Sequence, residues 1–70
     1  MSKLQSIREN AGLTRTQAAA MLGDKCNKNI SYSTLYTWER KKAIPPLDVV
    51  LEMAIVYNID LPELVEAILV

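Results

Sequence analysis

The run Tyr32-Ser33-Thr34-Leu35-Tyr36-Thr37-Trp38-Glu39-Arg40 gathers the side chains with most chemistry to offer. Serine, threonine and tyrosine hydroxyls both donate and accept hydrogen bonds. At helical spacing Leu35 and Trp38 share an inner face, while Ser33, Tyr36, Thr37 and Arg40 share the opposite one, with Tyr32 at its tip. That outer face holds no carboxylate and runs out into Arg40, Lys41 and Lys42. Hydroxyls of this kind suit base edges, and cations at their border suit phosphates, which fix register without reading sequence. Catalytic chemistry is excluded on residue types. The chain has no histidine, the commonest general base and metal ligand. Cys26 is its one cysteine, so neither a disulfide within the chain nor a zinc site can form, and nothing nearby in sequence activates the thiol. Gly12 and Gly23 stand alone, so no phosphate-cradling glycine loop exists. No enzymatic activity, metal or cofactor is therefore expected.

Eight basic and eight acidic residues give a net charge of zero, but they are segregated. All eight bases precede residue 43, where only Glu9, Asp24 and Glu39 oppose them, for a net +5. Residues 43–70 hold Asp48, Glu52, Asp60, Glu63 and Glu66 and no base, for −5. The split implies a basic working surface and an acidic remainder. The most apolar stretch, Leu47–Tyr57, is broken by Asp48 and Glu52 and falls short of the roughly 20 residues that span a bilayer. The first residues, with Lys3 and Arg8, lack the apolar core of a signal peptide. No membrane association is expected, and the lone cysteine suits a reducing, cytoplasmic setting.

The reading residues need a scaffold, and the sequence predicts five short helices in one domain over residues 1–70. The first covers about 3–11, with Ser2 as N-cap, Leu4, Ile7 and Ala11 on one face, and Gly12 as a left-handed stop. The second, about 15–22, starts with a Thr14–Gln17 capping box. Ala18, Ala19 and Leu22 form its buried stripe, where small side chains permit a close helix crossing. Gly23 is expected to end it, with Asp24–Asn29 as a polar loop that has room for one short helical turn. The third, 32–40, has Ser31 as N-cap and Ile30 as a hydrophobic staple. Pro45 and Pro46 halt the chain and start the fourth, 46–57, which is apolar nearly all round and so expected to be buried on more than one side. Asn58 is its expected left-handed end. Asp60 and Glu63 predict a second capping box for the fifth, 61–69, with Leu61, Leu64, Val65, Ile68 and Leu69 as its stripe.

Residues 4–65 hold a familiar series of words. Ile7-Arg8-Glu9 is followed by Ala11-Gly12-Leu13-Thr14, then Gln17-Ala18-Ala19 and Leu22-Gly23. Ile30-Ser31, the Ser33–Arg40 run, Pro46-Leu47 and Ile59-Asp60-Leu61-Pro62-Glu63-Leu64 complete it. In this order they resemble the Cro/CI-type helix-turn-helix family of phage repressors and bacterial regulators. The resemblance implies an all-α, five-helix, lambda-repressor-like domain that binds double-stranded DNA with helix 32–40 in the major groove. It implies base contacts from Tyr32, Ser33 and Thr37, with Tyr36 beside them. Arg15 stands where the family usually has a glutamine anchoring phosphate, and Arg40, Lys41 and Lys42 where the chain leaves the groove. Gln17, Lys25 and Lys28 complete the expected phosphate contacts. Arg8 and Glu39 occupy the positions of a structural salt bridge, and Ala19 that of a small residue under helix three.

Two departures stand out. Asp24–Asn29 puts six extra residues where the family turns tightly, so Lys25 and Lys28 either reach phosphates from a loop or swing clear. Ala18 stands where a leucine is common, leaving less core. The last two helices carry abundant apolar surface, which either lines one core or gives a homodimer face of Val49, Met53, Val56, Ile68 and Val70. A dimer would space two reading helices about 34 Å apart on a palindrome. A second reading, of a different class, uses the same fold to grip a repressor protein as a modulator or anti-repressor. Zero net charge, the altered turn and two tyrosines on helix three favour it.

Overall fold

A computed structural model describes residues 2–70. Among them are five helices and no strands: α1 (Lys3–Asn10), α2 (Arg15–Cys26), α3 (Tyr32–Glu39), α4 (Leu47–Val56) and α5 (Leu61–Leu69). Local chemistry starts the first three. Ser2 Oγ accepts the Gln5 N–H at 3.1 Å, and Ser31 Oγ the Thr34 N–H at 3.2 Å. At α2 the capping box is complete: Thr14 Oγ1 accepts from Gln17 N at 3.1 Å, and Gln17 Oε1 from Thr14 N at 3.0 Å. Each bond satisfies a backbone donor that the helix leaves orphaned.

Four helices close alike, with a residue of positive φ and a pair of reversed backbone bonds. Gly12 (φ 78°), Asn27 (54°), Lys41 (61°) and Asn58 (53°) hold the left-handed positions. The outer bonds run Leu13 N to Arg8 O, Lys28 N to Gly23 O, Lys42 N to Thr37 O and Ile59 N to Ala54 O, at 2.9–3.3 Å.

Two local expectations are corrected. Gly23 does not end α2, which continues through Asp24 and Lys25 to Cys26 and closes at Asn27. Glycine is needed there for a different reason: the chain folds back so closely that a Cβ on Gly23 would lie 2.8 Å from the Lys28 carbonyl oxygen. The residues beyond Gly23 thus lengthen α2, and the loop before α3 shortens accordingly. Asp60 does sit at the N-cap of α5, but its side chain makes no capping hydrogen bond. Pro62 in the first turn removes one of the two backbone donors such a cap would use.

The core joins Leu4, Ala18, Ala19, Leu22, Leu35, Trp38, Val49, Val50, Met53, Tyr57 and Leu64. α2 packs on α4 and α3, α1 on α5 and α3, and α4 on α5. Ala18 and Ala19 are both buried on α2, so the smaller side chain at position 18 leaves no surface open to solvent there. α4 is not buried all round. Val49, Val50 and Met53 face in, while Leu47 (72% exposed), Leu51 and Ile55 (68%) form an outer stripe at i, i+4, i+8. On α5, Leu64 and Ala67 are buried and Ile68 partly so, but Leu61, Val65 and Leu69 face out. The expected homodimer face is corrected as well. Val49 and Met53 are sealed in the chain's own core and have no surface to offer a second copy. Val56 and Ile68 are half-buried against that core, and only Val70 is fully open.

No helix among the described residues is long and apolar enough to cross a membrane.

Candidate nucleic-acid interface

α3 is amphipathic across its width. Leu35, Trp38 and Glu39 are buried, while Tyr32, Ser33, Tyr36 and, just beyond the helix, Arg40 are exposed. Thr37 is half-buried, and its Oγ1 donates to the Ser33 carbonyl at 2.9 Å, leaving the oxygen's lone pairs to accept from outside. Ser31 Oγ and Thr34 Oγ1 are 3.0 Å apart and tie the first turn to its cap. Ile30 is partly buried against the core just ahead of that cap, as expected of a staple.

What orients this helix is a charge cluster beneath it. The Glu39 side chain is fully buried and receives two guanidinium groups, Arg8 Nε on Oε2 and Arg15 Nε on Oε1, both at 2.7 Å. Arg8 also donates from Nη1 to the Leu13 carbonyl at 2.7 Å, which holds the link into α2. One carboxylate therefore joins α1, α2 and the end of α3. Glu39 is also the only acid on α3, so the exposed face has no negative charge, and the exposed Glu9 carboxylate, 3.9 Å from Arg8 Nη2, offsets the second arginine from outside the cluster. A buried charge pair is worth little over apolar neighbours, but it demands one arrangement of the three helices. The Tyr57 hydroxyl is buried with no hydrogen-bond partner. Burial first, and then the Glu39 charge, push that phenol well above its ordinary pKa, with Arg8 acting the other way.

The structure brings together more than the Arg8–Glu39 pair expected from sequence. Arg15 Nη1 donates to the Tyr32 hydroxyl at 3.2 Å, and the Arg15 guanidinium lies 4.8 Å from the Tyr36 ring centroid and 5.7 Å from that of Tyr32. Arg40 approaches the same Tyr36 ring at 5.6 Å. The Glu39 and Tyr32 hydrogen bonds raise the Arg15 pKa above its ordinary value. The available signal was the i, i+4, i+8 spacing of Tyr32, Tyr36 and Arg40, which lines them up along one side of α3.

The other expected phosphate ligands are scattered. Gln17 is exposed at the start of α2 with its carbonyl oxygen engaged in the capping box. Arg40, Lys41 and Lys42 are all exposed at the end of α3. Lys25 is exposed in the last turn of α2, about 15 Å along the axis from Arg15. Lys28 reaches Asp48 on α4, at 2.8 and 3.0 Å to its two carboxylate oxygens, and its hydrogen bond and charge lower the Asp48 pKa. The loop before α3 is thereby tied down to α4, and Lys28 is engaged within the chain.

Neither a curated protein nor a solved structure matches the chain. A family model described as helix-turn-helix matches residues 4–64, from the buried Leu4 of α1 to the buried Leu64 of α5. With that match over nearly its whole length and five helices in this order, the chain belongs to the Cro/CI-type helix-turn-helix family of DNA-binding transcription regulators.

Proposed function

We propose that the chain is a sequence-specific repressor of the phage or mobile-element type, working in the cytoplasm and reading double-stranded DNA with α3 in the major groove. Tyr32, Ser33, Tyr36 and Thr37 contact base edges. Gln17, Lys25, Arg40, Lys41 and Lys42 meet phosphates, while Lys28 would first have to leave Asp48. The observation that carries this reading is the exposed face of α3: hydroxyl-bearing, without a free carboxylate, and bordered by three consecutive cations. Binding to the chain's own upstream DNA, followed by footprinting, tests it. If about four phosphates are neutralised, the log–log slope of affinity against salt is about −3.6. A protected site with a slope near zero, or no protected site, would remove the reading.

A homodimer remains part of the proposal, on a different face. Leu47, Leu51 and Ile55 present an apolar strip that a small monomer gains nothing by exposing. A second copy seated on it would supply the two-fold symmetry that palindromic half-sites require. Sedimentation at micromolar concentration tests this, and monomer alone rejects it. The same strip, with Tyr32 and Tyr36, favours the second functional reading, a modulator gripping a repressor protein. Capture of a repressor, with no DNA shift by this chain alone, is the result that would select it.

A further inference from the structure

Arg15 occupies a place that would serve for gripping phosphate, yet its geometry suits another task. Its Nε is committed to a buried carboxylate at 2.7 Å, and its Nη1 to the Tyr32 hydroxyl at 3.2 Å. Its guanidinium carbon lies over the Tyr36 ring, 4.8 Å from the centroid. The side chain is only 17% exposed. Short charge-assisted bonds to a desolvated carboxylate are among the strongest in a protein, so Arg15 would have to give one up to turn outward. The partner carboxylate is anchored independently by Arg8. A rigid interior point is thus connected, through one planar guanidinium, to two exposed aromatic side chains one turn apart on α3.

We propose that Arg15 is a positioning residue that holds Tyr32 and Tyr36 in single rotamers on the reading face and so sets sequence discrimination, without itself supplying a phosphate contact. The proposal rests on the DNA-reading function above. Unheld tyrosines on an exposed helix exchange between two χ1 wells, and each would then present its hydroxyl to a base edge for part of the time only. Lysine cannot replace the arginine, because a point charge without a plane can neither stack on Tyr36 nor bridge Glu39 and Tyr32 in fixed directions.

The test compares wild type with Arg15→Gln and Arg15→Lys. Both variants keep the Arg8–Glu39 pair, and their folding is checked by Trp38 emission and thermal melting. The probes are a duplex selected by the wild-type chain from a random-sequence pool and a scrambled duplex of the same composition. A positioning role predicts that both variants lose about ten-fold in discrimination between the two duplexes, with the salt slope unchanged. A phosphate ligand would behave differently: Arg15→Gln weakens both duplexes alike and flattens the slope by about 0.9, and Arg15→Lys restores binding. That pattern overturns the proposal. Three-bond couplings report the tyrosine χ1 angles in the DNA-free protein. They should show single rotamers for Tyr32 and Tyr36 in wild type and averaging in both variants, and single rotamers in Arg15→Gln overturn the clamp directly. If wild type selects no duplex, the DNA-reading function and the discrimination claim fail together, while the couplings still decide whether Arg15 holds the tyrosines.

Discussion

Replacing Glu39 by glutamine keeps its shape and removes the charge that two arginines share. The two are not equally exposed to the loss. Arg15, 17% exposed, can turn toward water, whereas the Arg8 side chain, 5% exposed, is left charged and enclosed with only the distant, solvent-screened Glu9 carboxylate at 3.9 Å. Stranding one member of a buried ion pair costs about 3–5 kcal/mol, and the partial escape of Arg15 places the expected cost near 3. A chain of 70 residues has a total stability of roughly 3.5–10 kcal/mol at the usual density per residue. Glu39→Gln should therefore remove about a third or more of it and lower Tm by about 12–24 °C. Urea unfolding followed by emission of Trp38, the one tryptophan and 9% exposed, measures this. The midpoint should fall while the slope m stays constant. Replacing Arg8 and Glu39 together by methionines should restore most of the loss, since the enclosed charge goes with its partner and only Arg15, which can turn toward water, is left without a carboxylate. A loss under about 1 kcal/mol for Glu39→Gln would refute the claim that Arg8 depends on it.

Further outcomes follow from single contacts. Gly23→Ala, which in an ordinary helix gains about 1 kcal/mol, should here cost that much or more, because the new Cβ meets the Lys28 carbonyl oxygen at 2.8 Å; a rise in the urea midpoint would contradict the close approach. Tyr57→Phe removes a buried hydroxyl that has no partner and should leave stability unchanged or raise it by about 1–2 kcal/mol, whereas a clear drop would reveal a hidden bond. Burial, followed by the Asp48 and Glu52 carboxylates, holds the Cys26 thiol above its ordinary pKa, so iodoacetamide at neutral pH should label native protein more slowly than the urea-unfolded chain. Equal rates would show that the thiol is not protected.

The legible parts of the fold are those decided within a few residues. Ser2, Thr14 with Gln17, and Ser31 cap their helices because a side-chain oxygen three residues from a free N–H needs no tertiary help. Gly12 and Asn58 end theirs for a similarly local reason. Gly23 misled because glycine suits a helix end and a close crossing equally well, and only the path of residues 27–30 tells which is in force. Asp60 misled because the capping pattern ignores the donor that Pro62 lacks. On α4 an apolar residue at almost every position gives no periodicity, so the choice of Val49 and Met53 for the inside, and of Leu47 and Ile55 for the outside, comes from α2 and α5. The outward face of α3 was readable from spacing. The Arg15–Glu39 bond was not, because it joins residues 24 apart that meet only once α2 and α3 have crossed.

Lys41 is the odd member of the four helix closures, a long charged residue in a backbone conformation for which the chain elsewhere uses glycine or asparagine. An L-residue with a side chain is strained there by roughly 1–2 kcal/mol. Under the proposed binding mode this strain is retained where the reading helix hands the duplex back to solvent, so thermal robustness and grip on the backbone conflict at a single residue. Selection for heat resistance alone would drift toward glycine at this position, and the domain would become sturdier as it became a weaker binder.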